Sequence, residues 1–153
     1  MAYPTAHREV GRLIEAGILA ERVVGRTRLI HAEESSPLVA PLRQILLVST
    51  GPTTLLRAEL ADIDGIEHAL IYGSFAARLD GRAGASPNDV DLMVIGTPSP
   101  DEVYDACARV EESARRPVNP TILTRAEADA DSGFLNNVRA NPIVVLIGSA
   151  PWQ

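Results

Sequence analysis

Ile71-Tyr72-Gly73-Ser74-Phe75-Ala76-Ala77-Arg78 and, one loop later, Asn88-Asp89-Val90-Asp91-Leu92 decide how this chain is read. The first run is the end of an apolar strand, a glycine-serine turn and a short helix. The second opens another apolar run that lasts to Gly96. A glycine-serine turn at a helix start offers backbone N–H groups and a hydroxyl to a phosphate. Aspartates at i and i+2 of a strand point to the same side and can share a hard divalent cation. The blander alternative for Asp89 and Asp91 is a loop end in which Asn88 and Asp89 cap turns. The order glycine-serine, helix, loop, Asp-x-Asp favours a phosphate cradle beside a metal pair, which is what metal-dependent nucleotide chemistry needs.

Around this stretch the elements alternate. Apolar runs predict strands over Ile66–Tyr72, Val90–Ile95, Val118–Leu123 and Ile143–Ile147, with Pro120 placing the third near an edge. Helices are expected over Thr53–Leu60, Ser74–Leu79, Ser99–Arg115, Arg125–Ala130 and Phe134–Arg139. Ser99-Pro100 reads as the cap and first turn of the long helix, and Thr124 with Glu127 as a capping box. Asp80–Asn88 is a loop. Strands alternating with helices after Gly51 predict an α/β (α+β) layer fold.

These residues resemble a known family. Ile71–Arg78 followed by Asn88–Leu92 is similar to the Gly-Ser…Asp-x-Asp signature of polymerase-β-like minimal nucleotidyltransferases. The resemblance spans residues 52 to 148. It implies a mixed sheet with helices packed on it, Mg2+ dependence with a two-metal site, and transfer of a nucleoside monophosphate from a nucleoside triphosphate to an acceptor. It implies that Gly73 and Ser74 hold the triphosphate and that Asp89 and Asp91 ligate metal. Two departures stand out. A Gly/Pro-rich insertion (Gly81–Pro87) lengthens the connection, at small entropic cost for a surface loop. The third carboxylate, which the family places on the next strand, is replaced by Asn119. An amide oxygen can ligate a metal but brings no charge and cannot act as a base. Three outcomes stay open: Asn119 serves in the third position, Asp129 or Asp131 substitutes, or transfer has been lost.

Residues 1–50 read as a separate element. Pro4–Gly17 predicts a helix with Val10, Leu13 and Ile14 on one face and Gly17 as its stop. Ile18–Val24 and Thr27–Ala32 flank Gly25-Arg26 as a hairpin, Glu33–Pro41 is a polar break, and Leu42–Val48 a linking helix. The segment resembles the recognition helix and wing of a winged helix-turn-helix. By that resemblance Thr5, His7, Arg8 and Arg12 would face base edges, and Arg26 and Arg28 at the wing would reach phosphate. The helices that precede a recognition helix are missing. Either the sequence continues upstream, or a partner or the downstream domain covers the stripe of Val10, Leu13, Ile14 and Leu19. A homodimer is expected from that stripe. The expected organisation is thus a partial winged helix and linker (1–50) before a minimal nucleotidyltransferase domain (51–153).

Composition bounds the rest. The first fifty residues carry six Arg and five Glu, and the remainder eight Arg and fifteen acids, within a net charge of −6. Acidic surfaces repel nucleic acid, so DNA contact is expected only from the first third. No apolar run reaches membrane-spanning length, and no signal-peptide layout opens the chain, so a cytoplasmic protein is expected. The single Cys107 permits no internal disulfide and reads as a packing residue. The function expected is a Mg2+-dependent nucleotidyltransferase. The rivals are a non-catalytic DNA-binding regulator on a degenerate nucleotidyltransferase fold, and an antitoxin acting on a partner toxin.

Overall fold

The computed structural model describes residues 3–49, 51–82 and 87–152. Most of the expected Gly81–Pro87 insertion, residues 83–86, lies outside them. The chain forms two compact units, Met1–Leu46 and Leu47–Gln153.

In the first unit, α1 (Tyr3–Glu15) is followed by a hairpin of β1 (Leu19–Val24) and β2 (Thr27–Ala32). The helix stops where predicted. Gly17 takes φ +66°, which only glycine adopts freely, and the N–H of Ile18 turns back to the carbonyl of Leu13 at 2.9 Å. Gly25-Arg26 closes the hairpin at the Val24↔Thr27 pair. The linking helix, α2 (Val39–Ser49), begins three residues before the expected Leu42. Pro41 falls in its first turn, where a missing N–H costs nothing, so the polar break is shorter than its proline suggested. Val39 is the only buried residue among those described in this unit.

The second unit holds α3 (Pro52–Leu60), β3 (Ile66–Tyr72), α4 (Gly73–Leu79), β4 (Val90–Gly96), α5 (Pro100–Ala114), β5 (Val118–Leu123), α6 (Arg125–Asp129), α7 (Gly133–Arg139) and β6 (Val144–Ile147). The strands form a mixed sheet in the order β5-β4-β3-β6. β3 runs antiparallel to both β4 and β6, and β4 runs parallel to β5 across the α5 crossover. β5, with Pro120, lies at an edge. Helices cover both faces, and the alternation of side chains along the central strands fills both layers. On one face Ile71, Val90, Leu92 and Val94 meet Leu56 and Leu60 of α3 and Val103, Ala106 and Val110 of α5. On the other, Leu70, Met93 and Ile95 meet Ala128, Leu135 and Val138 of α6 and α7. Each such buried aliphatic side chain contributes about 1.5–3 kcal/mol of transfer free energy, so this unit owns a core of its own. Cys107 is buried in it, and burial pushes its thiol up to about 11.

Ser99 is the N-cap of α5 with Pro100 in the first turn, as expected, though its hydroxyl makes no capping bond; Asp101 and Glu102 supply the negative charge that the helix start favours. Trp152 folds back. Its Nε1 donates to the Ala128 carbonyl at 3.0 Å and its ring lies under the Arg139 guanidinium, 5.2 Å away. The capping box of Thr124 and Glu127 is formed in full. Among the described residues no helix is long and apolar enough to cross a membrane.

Candidate functional site

The site lies on the α6/α7 face of the sheet, at the end where β3 finishes and β4 begins. Val90 and Leu92 are buried in the opposite layer, so the pleat turns Asp91 to this face. The ladder sets Asp91 between Tyr72 of β3 and Asn119 of β5, its register partners on either side. Asp89, one residue before β4, accepts a hydrogen bond from Asn119 Nδ2 at 3.0 Å. The three side chains read as metal-site candidates therefore converge.

Their electrostatics are those of crowded acids. Burial holds the Asp91 carboxyl above its ordinary value, the neighbouring Asp89 charge adds to this, and the Asn119 amide offsets part of it. Burial likewise raises the Tyr72 phenol, with Asp91 contributing and the Thr121 bond (3.3 Å) opposing. The Tyr72 ring meets Phe134 edge-on at 5.6 Å.

Gly73 is fixed by two constraints. It has φ +72°, and a Cβ there would collide with Asp91 Oδ2. Only glycine lets the β3–α4 turn approach the carboxylate so closely. Ser74 follows it, exposed. An open cleft of about 400 Å3 extends from Gly73, Ser74 and Asp91 past Ala77 to Asn137, Val138 and Asn141.

The donor set is one of oxygens, which suits hard divalent cations such as Mg2+. Mg2+ is usually held by one or two carboxylates and completes its shell with water and substrate phosphates. Asp89 and Asp91, like charges held together, with an amide beside them, suit an ion shared with a phosphate ligand. Among the described residues no group of three His, Cys, Asp or Glu forms a metal cage. The distant acids do not join the site through their hydrogen bonds: Asp129 pairs with Arg125 at 3.0 Å, and Asp131 accepts from Asn136 at 2.7 Å.

In the first unit the residues read as DNA contacts are exposed, except the partly buried Thr5, and several are engaged with one another. Glu9 accepts from Arg12 at 3.1 Å and meets Arg8 at 3.5 Å. Arg28 pairs with Glu21 and with His7 Nε2, the latter at 3.1 Å. Arg26 occupies the hairpin turn.

Sequence reasoning gave no role to Tyr72, Asn137 or Asn141. For the two asparagines the available signal was the pair of amides four residues apart, one in α7 and one just past its end. His68 sits between the Ser149 carbonyl (2.9 Å) and Arg125 (3.2 Å).

No family model and no curated protein matches the sequence. Among solved structures, a proposed nucleotidyltransferase from Sulfolobus solfataricus is similar over 69% of this chain and 84% of that one. The identity is 19% and the TM-score 0.37.

Proposed function

We propose that the second unit is a nucleotidyltransferase-type domain that binds a nucleoside triphosphate with Mg2+ and transfers the nucleoside monophosphate to an acceptor hydroxyl. One observation carries the reading: Asp91, raised by burial and by Asp89, faces a glycine that only a close backbone approach requires, at the mouth of a cleft of nucleotide-binding size. Asp89 and Asp91 would hold the cation and Gly73 and Ser74 the phosphates. Bound there, Mg2+ supplies charge neutralisation at the phosphates. The carboxylates gain from it too, because a cation relieves the repulsion between them.

Asn119 bears on whether transfer occurs. Its amide orients Asp89 and spreads no negative charge, so deprotonation of the acceptor falls to some other group. That observation favours a second reading, in which the site binds Mg-nucleotide as a signal and the first unit carries the output, to DNA or to a partner such as a toxin.

The test is calorimetric titration of the full chain with ATP, GTP, CTP and UTP, with and without Mg2+, in the parent and in Asp89→Asn/Asp91→Asn. Metal-dependent binding lost in the double variant supports the site. Absence of binding at millimolar nucleotide overturns it. Incubation with α-labelled nucleotide and candidate acceptors then separates the two readings: label transfer favours the enzyme, and binding without transfer the sensor.

A further inference from the structure

Resting on the nucleotide reading above, we infer that Asn137 is a positioning residue for the ligand, a hydrogen-bond donor whose polarity is set from outside the cleft by Arg82 through Asn141. The chain of contacts begins at a group that can only donate. Arg82 Nη1 donates to Asn141 Oδ1 at 3.0 Å. A guanidinium has no acceptor, so the Asn141 amide cannot be turned over without losing this bond, and its oxygen stays toward Arg82. Its Nδ2 must then face the other way. It donates to the Asn137 carbonyl at 2.8 Å and to Asn137 Oδ1 at 3.1 Å. Asn137 in turn has its oxygen occupied. Asn137 lines the cleft with Asp91 and Ser74, and among the described residues no protein acceptor takes its Nδ2, which leaves that nitrogen for a ligand.

An amide whose oxygen is turned toward Asn141 presents its N–H groups on the opposite side. The atom it recognises is therefore an acceptor oxygen, on a phosphate or on the carbonyl of a base. A ligand group that needs a carbonyl partner at this point would be refused.

The test is calorimetry of the full chain with Mg-ATP, Mg-UTP and Mg-tripolyphosphate. Asn137→Ala is expected to weaken Mg-nucleotide binding about tenfold, the scale of one hydrogen bond to a charged or desolvated acceptor. Asn141→Asp places an oxygen against Asn137 Oδ1, which turns the Asn137 amide over and points its carbonyl into the cleft. It should weaken binding at least as much, and the share of the loss that runs through Asn137 should vanish in the Asn137→Ala background, leaving only the repulsion of the new carboxylate. Equal loss for tripolyphosphate and nucleotides assigns the acceptor to a phosphate; loss for nucleotides alone assigns it to the base.

The inference is overturned if Asn137→Ala binds like the parent, or if Asn141→Asp has the same effect with and without Asn137. A merely structural role would lower the melting temperature without producing that non-additivity. If the parent binds no Mg-nucleotide, the underlying reading fails first, and the two failures are thereby told apart.

Discussion

Asp91 shows how a single residue is pulled between folding and function. Its carboxyl is raised by burial and by Asp89, so the native state binds its proton more tightly than the unfolded chain does. Its contribution to stability is thus largest at low pH and declines as pH rises from the ordinary carboxylate value through the raised one. Asp91→Asn is expected to raise the melting temperature at pH 7 by a few degrees, on the order of the shift that about 1 kcal/mol gives a domain this size, and to flatten that pH slope. The same variant should lose Mg-nucleotide binding. Thermal melts from pH 4 to 8 check the first effect, and a lowered melting temperature would refute it. Gly73→Ala is expected to cost about 2 kcal/mol, since it combines a positive φ with a clash at Asp91 Oδ2; urea denaturation measures it. These two aspartates and the glycine were legible because their spacing is local. Asn137 was not: the bond that fixes its polarity comes from Arg82, fifty-nine residues away from Asn141, and no periodicity encodes such a pairing.

At the level of elements, most boundaries followed from residue chemistry. Proline at helix starts, glycine at the α1 stop and the Thr124–Glu127 box each mark an end by a local bond or its absence. One position was misread because proline serves two contexts: Pro41 was taken as the end of a break and lies inside a first turn. Ser99 holds the N-cap position as read, with its hydroxyl unused. Ser132 is the working counterpart, its hydroxyl accepting from the Leu135 N–H at 3.2 Å at the head of α7. Since α7 has only seven residues, it depends on that cap. Ser132→Ala is expected to cost about 1 kcal/mol by chemical denaturation, and the loss should exceed that of an alanine placed at the uncapping Ser99.

Across the whole molecule the two units differ in what holds them. The second has a core on both faces of its sheet, whereas the first buries Val39 alone among its described residues and exposes Val23, Val24, Leu29 and Ile30 on its hairpin. Local opening free energy follows buried apolar contact. Amide hydrogen exchange should therefore be fast over residues 5–46 and slow over β3 and β4; equal protection in both would show that the first unit is held by something beyond its own side chains. The expected homodimer is the simplest such support, and sedimentation of Val23→Glu/Leu29→Glu against the parent measures it. One further property comes from the borders of the sheet. At one margin Pro120 removes an N–H from β5, and at the other Arg57 occupies main-chain carbonyls of β6, those of Val145 and Leu146, at 3.0 and 3.2 Å. A strand arriving from another molecule would meet a residue without an N–H on one side and an arginine already bonded to the main chain on the other. The native protein should therefore resist recruitment into fibrils, and Arg57→Ala with Pro120→Thr would open both margins to seeded growth.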